Sequence, residues 1–157
     1  MSSPACLVPS GVRGLGGTDL LPTTVQVGVD ICAVADVAES LREFGDRYRR
    51  RVYTDGELEF CSAQPALEPQ RLAARFAAKE ATLKVLRPSG WWPDWRTMDV
   101  RRHADGWCEL HLTGAAASLA AERGIVALSV SLTHEGPLAA AVVIGQLDGP
   151  WLRGVGR

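Results

Sequence analysis

The sequence predicts an α+β protein in which a small antiparallel or mixed sheet packs on a long central helix. Three observations predict it. Val25, Val27, Val29 and Ile31 alternate with Gln26, Gly28 and Asp30, the period of a strand with one buried face. An alanine-rich run from about Gln70 to Leu86 is helical and is stopped by Pro88. Beyond it, two pairs of strand-like segments flank one more helix, so helices and strands come in blocks and do not alternate as in a parallel α/β sheet.

In chain order, residues 1–24 are rich in Gly, Pro, Ser and Thr without periodicity and read as a flexible leader. The strand at 25–31 is followed by a helix expected over 34–50, because Val37, Leu41, Phe44 and Tyr48 recur every three to four residues. Thr54 with Glu57 can turn the chain and cap a short helix reaching Phe60. Pro65 and Pro69 bracket a loop before the central helix, and a Trp-rich connection over 87–97 follows it. Strands are expected at 98–103, 108–113, 126–133 and 139–145, with an Ala-rich helix over 114–123 ended by Gly124. The expected organisation is one domain over 25–147 and a frayed tail over 148–157.

A formal net charge of −1 leaves no global field to recruit nucleic acid or an anionic membrane. Cys6, Cys32, Cys61 and Cys108 are scattered, and His103, His111 and His134 do not supply zinc-ligand spacing. There is no export signal, and no apolar stretch approaches the roughly 20 residues that span a bilayer. The expectation is a soluble, cytoplasmic protein with reduced thiols, bound to neither nucleic acid nor membrane.

The chemistry resides in a few charged residues. Asp30 and Glu80 are carboxylates from separate elements with no nearby histidine or thiolate, a hard-oxygen pair suited to Mg²⁺. The helix of Glu80 also carries Arg75, Lys79 and Lys84. Lys84 shares the face of Glu80, and Lys79 is expected to project about 100° away, towards another part of the surface. A metal centre flanked by cations fits a polyphosphate substrate. The same residues also fit a surface ion pair between Glu80 and Lys84, an exposed Asp30 at a strand end and a structural His134. Spacing alone leaves the function undecided.

Three segments together resemble the holo-(acyl carrier protein) synthase family of 4′-phosphopantetheinyl transferases. Gly28-Val29-Asp30-Ile31 is similar to its opening strand, and Arg75-Phe76-Ala77-Ala78-Lys79-Glu80-Ala81 with Lys84 to its central helix. Val130-Ser131-Leu132-Thr133-His134-Glu135, followed by 139–144, is similar to its closing strand pair. The resemblance covers about residues 25–146. It implies a phosphopantetheinyl-transferase-like fold assembling as a trimer, with coenzyme A between subunits. It implies Mg²⁺-dependent transfer of the 4′-phosphopantetheine arm of coenzyme A to a serine of an acyl or peptidyl carrier protein, releasing adenosine 3′,5′-bisphosphate. By position, Asp30 and Glu80 would ligate Mg²⁺, and Glu80 and Lys84 would be catalytic. Arg75, Lys79, Lys84, Ser131, Thr133 and His134 would bind the cofactor.

Two positions depart from the family. Its first motif normally continues to an arginine six residues after the metal aspartate, which helps dock an acidic carrier helix; here the position is Asp36, and an intervening acidic position is Ala33. Arg42, Arg47, Arg49, Arg50 and Arg51 lie nearby, either as a solvated helix face or as a docking surface. A glycine-rich turn after the central helix is replaced by Arg87–Trp95, whose Trp91 and Trp92 could stack on the cofactor or cover an interface. These departures support a competing reading, a non-catalytic trimeric relative that binds coenzyme A or a carrier. A general nucleotide hydrolase is disfavoured, because no P-loop glycine motif occurs.

Overall fold

The computed structural model describes residues 25–148. The leader expected over 1–24 and the tail beyond Asp148 lie outside the described residues. The elements are β1 (Val25–Ala33), α1 (Val34–Phe44), α2 (Asp46–Val52), α3 (Asp55–Ser62), α4 (Glu68–Leu86), β2 (Met98–Arg102), β3 (Cys108–Leu112), α5 (Gly114–Glu122), β4 (Ile125–Glu135) and β5 (Leu138–Leu147). The strands form two sheets, one ordered β1-β5-β4 and the other the pair β2-β3. Every pairing is antiparallel.

Helix α4 is the axis on which most of the other elements pack. Small side chains, Ala73, Ala74, Ala77, Ala78 and Ala81, are buried along it and let the three-stranded sheet come close. Gly28 on β1 shows how close: a Cβ there would sit 2.0 Å from the Ala81 carbonyl oxygen. Gly145 on β5 plays the same part, since its Cβ would meet Val85 at 2.6 Å. Larger core side chains fill the space on the far side, among them Tyr53, Leu72, Leu86, Met98 and Val100.

Three expectations are corrected. The helix expected over 34–50 is two helices, broken at Gly45, whose backbone (φ 51°, ψ −129°) lies outside the range open to other residues. The central helix begins at Glu68, two residues early, because Pro69 sits in its first turn, where a missing N–H costs nothing. The third concerns the faces of β1. The even residues, including Gly28 and Cys32, turn towards α4, and Val25, Val27, Val29 and Ile31 are exposed. Alternation gives the period of a strand but not which face is covered, and the glycine needed for close helix packing decided it here. Across the sheet, Val27 pairs with Ile144 and Val29 with Val142, so the exposed face is a continuous apolar patch.

The short helix α3 forms as its sequence predicts. The Thr54 hydroxyl accepts the Glu57 N–H at 3.2 Å and the Glu57 carboxylate accepts the Thr54 N–H at 2.8 Å, a reciprocal cap. Cys32, Cys61 and Cys108 are free thiols, two buried and one half-buried. Among the described residues, no helix is long and apolar enough to cross a membrane.

Candidate active site: two clefts on one helix

Arg75 and Glu80 are five residues apart on α4 and therefore point about 140° away from each other around its axis. The residues singled out from sequence accordingly divide between two clefts. On one side Asp30 and Glu80 line a cavity of about 430 Å³, with Ile31, Asp36, Tyr48 and Phe76. On the other, Arg75, Ser131, Thr133 and His134 line a cavity of about 580 Å³.

The carboxylate cleft is built by the close approach of β1 to α4. Gly28 brings the strand against the helix, and Asp30, two residues on, comes to its edge beside Glu80. The Lys84 ammonium donates to Asp30 Oδ1 at 3.0 Å and to the Val29 carbonyl at 2.7 Å. Its ion-pair partner is thus on another element, not the Glu80 one turn back. Partial burial, then the negative Asp30, raise the Glu80 carboxyl above its ordinary range, and Lys84 partly opposes them. Cys32 sits in the same field: burial, then Asp30, Asp36 and Glu80, push its thiol up to about 11. It is therefore a protonated wall residue and no nucleophile.

Among the described residues no group of three or more His, Cys, Asp or Glu converges as a metal cage. Two carboxylates with an all-oxygen character nevertheless fit Mg²⁺, which keeps water and substrate phosphates as its other ligands. Burial first and the neighbouring Asp30 second raise the Glu80 carboxyl, and a divalent cation between the two carboxylates would offset both.

The cationic cleft lies where the unpaired edge of β4 faces the β2-β3 hairpin. Arg75 is only 3% exposed, yet its Nε has no hydrogen-bond partner, and its Nη1 donates to the Arg71 carbonyl at 3.2 Å. A buried guanidinium with a spare donor at a cavity wall suits an anion. Arg71 and Arg102 join it, and the three guanidinium carbons stand 4.8, 4.6 and 5.8 Å from the Phe60 ring centroid for Arg71, Arg75 and Arg102. Trp107 also lines the cleft and stacks on His103 with ring centroids 3.5 Å apart.

Arg71, Arg102 and Trp107 were not anticipated. Arg71 could have been, since it lies one helical turn before Arg75. Arg102 and Trp107 come from the hairpin, and no local spacing signals which way a hairpin leans.

Lys79 is a correction. It is wholly buried, with its ammonium 2.8 Å from the Glu57 carboxylate and donating to the Trp95 and Met98 carbonyls at 2.9 and 2.7 Å. All three donors are used, so none remains for a phosphate, and the expected surface location does not hold. Burial lowers its pKa, and Glu57 opposes that shift. Its role in this structure is to tie α4 to α3 and β2. Of the Trp-rich connection, Trp95 packs on Phe76 at 5.4 Å between ring centroids, and Trp91 and Trp92 are exposed.

Comparison with known proteins agrees with this architecture. Residues 26–143 match the model of the 4′-phosphopantetheinyl transferase superfamily. A holo-[acyl-carrier-protein] synthase of Methylorubrum populi is 42% identical over 123 residues, which are 75% of this chain and 90% of that protein. The synthase of Solibacter usitatus is 36% identical over 125 residues, 76% and 96% of the two chains. Among solved structures, the Mycobacterium tuberculosis acyl carrier protein synthase superposes with a TM-score of 0.60 at 34% identity, covering 78% of this chain and 96% of that one. The Chronobacterium ammoniagenes ACPS-CoA complex superposes with a TM-score of 0.70 at 27% identity, covering 80% and 98%. The chain belongs to the holo-(acyl carrier protein) synthase family and is a phosphopantetheinyl transferase.

Proposed function

We propose that the chain transfers the 4′-phosphopantetheine arm of coenzyme A to a serine of an apo-carrier protein in the cytoplasm. The working unit would be a homotrimer of the 25–147 domain. The observation that carries this reading is the separation of the two half-sites. One chain holds a carboxylate cleft and an anion cleft on different sides of α4, and its sheet exposes an apolar patch. A second copy seated on that patch would bury it and bring its own cationic cleft against the first copy's carboxylates.

In that arrangement Arg75 and His134 hold the 3′-phosphate end of coenzyme A, with Ser131 and Thr133 beside them. Asp30 and Glu80 would hold Mg²⁺, which supplies charge neutralisation for the pyrophosphate. The serine Oγ bonds to the β-phosphorus, and the bond from that phosphorus to the bridging oxygen breaks. The bridging oxygen keeps the electron pair and leaves as adenosine 3′,5′-bisphosphate, with Lys84 offsetting its charge. Glu80 would assist removal of the serine proton. The remaining catalysis is positioning.

The test is mass spectrometry of apo-carriers incubated with the protein, Mg²⁺ and coenzyme A. A gain of one phosphopantetheine mass that disappears with Glu80→Gln supports the reading. Carriers left unchanged by a protein that binds coenzyme A would instead establish the non-catalytic binder.

A further inference from the structure

The carboxylate cleft carries more negative charge than its metal site needs. Asp30 and Glu80 together balance one divalent cation, and Lys84 already pairs with Asp30. Asp36, exposed in the first turn of α1, stands at the same cleft, and no cationic side chain lines that cavity. From Asp36 the acidic character continues outward along α1 through Glu39 and Glu43, both exposed and spaced to share a face. Basic charge enters with exposed Arg42 in the last turn of α1 and continues with exposed Arg47, Arg50 and Arg51 on α2.

A carrier delivering its serine to this cleft must lay the residues beside that serine against the cleft rim. Resting on the transfer reading above, we infer that Asp36 sets carrier specificity. It selects carriers with no acidic side chain next to the reacting serine, and any acidic residues they carry fall further off, within reach of the α2 arginines. An acidic side chain beside the serine would meet Asp36 in a like-charge contact, and a neutral or basic one would not. The contact lies at an exposed rim, so its worth is about a two- to fivefold change in transfer efficiency per charge, weakening as salt is added.

The test uses two forms of one apo-carrier: an acidic bacterial fatty-acid carrier, and the same carrier with the carboxylates within one helical turn of its serine changed to amides. Transfer efficiency, kcat/KM, is measured for both with the native protein, Asp36→Asn and Asp36→Arg. The native protein is expected to favour the amide form about two- to fivefold, Asp36→Asn to bring the ratio near one, and Asp36→Arg to invert it. High salt should flatten all three ratios. A native ratio of one or below, or a ratio that Asp36→Arg leaves unmoved, overturns the inference alone. Absence of transfer to either carrier by any of the three proteins overturns the transfer reading and the inference with it.

Discussion

The two clefts are built from the same helix by opposite means. The carboxylate cleft depends on backbone proximity: Gly28 and a row of alanines bring β1 against α4, and Asp30 follows from that contact. The cationic cleft depends on side-chain reach, with Arg71, Arg75 and Arg102 converging over Phe60 from α4 and a hairpin. A site for a small hard cation needs ligands fixed to within fractions of an ångström, which rigid backbone contact provides. A site for a phosphate tolerates long flexible cations, provided several converge.

Lys79 lies between the clefts and should give the largest effect when changed. Lys79→Met leaves Glu57 buried without its counter-charge and is expected to cost about 3–5 kcal/mol of stability, read by urea or thermal unfolding. A Lys79→Met protein that unfolds like the native one, but binds coenzyme A poorly, would return Lys79 to the cofactor site and blur the division between clefts.

Glu80→Gln should lower kcat by about 10²–10³-fold while leaving coenzyme A affinity less affected, because it removes charge and proton acceptance from one cleft only. Arg75→Ala should act the other way, raising the KM for coenzyme A by about tenfold or more. That loss should nearly vanish with a coenzyme A analogue lacking the 3′-phosphate. Mixing the two impaired proteins, at coenzyme A too dilute to saturate Arg75→Ala, gives the sharpest comparison. If the halves meet across subunits, mixed oligomers should regain part of the native rate, since some interfaces then pair two intact clefts. No recovery after verified subunit exchange would place both halves of each working site in one chain.

The smallest expected effect concerns pH. The folded state holds the Glu80 proton more tightly than the unfolded chain, so the stability linked to this group is fully present in acid. It is lost as pH rises through the raised pKa. Glu80→Gln should therefore melt slightly above the native protein at neutral pH, and the gap should close in acid or on adding Mg²⁺ to the native protein. A native protein that melts higher than Glu80→Gln at neutral pH without metal would contradict the raised Glu80 carboxyl.

Much of this was legible in the chain itself. The alternation of 25–31, the Thr54–Glu57 cap, the alanine-rich helix and Gly124 are local signals, and each element formed where they lie. The grouping of Asp30 with Glu80, and of Arg75 with His134, followed motifs long enough to be recognised together. What local signals could not supply was direction. Lys79 and Lys84 are both lysines on the same helix, and neighbouring packing sends one into a buried ion pair and the other to Asp30. Likewise the alternation on β1 does not say which face meets the helix, and the glycine contact turned the valines outward.

The sequence by itself therefore determined the elements, the family and the chemical types gathered at the site, because those depend on residues near one another in the chain. Only the tertiary structure decided that the site residues fall into two clefts, that Lys79 is a buried tie and that an apolar sheet face is left uncovered. These outcomes depend on which surfaces pack together, a competition between contacts distant in sequence that no local pattern records.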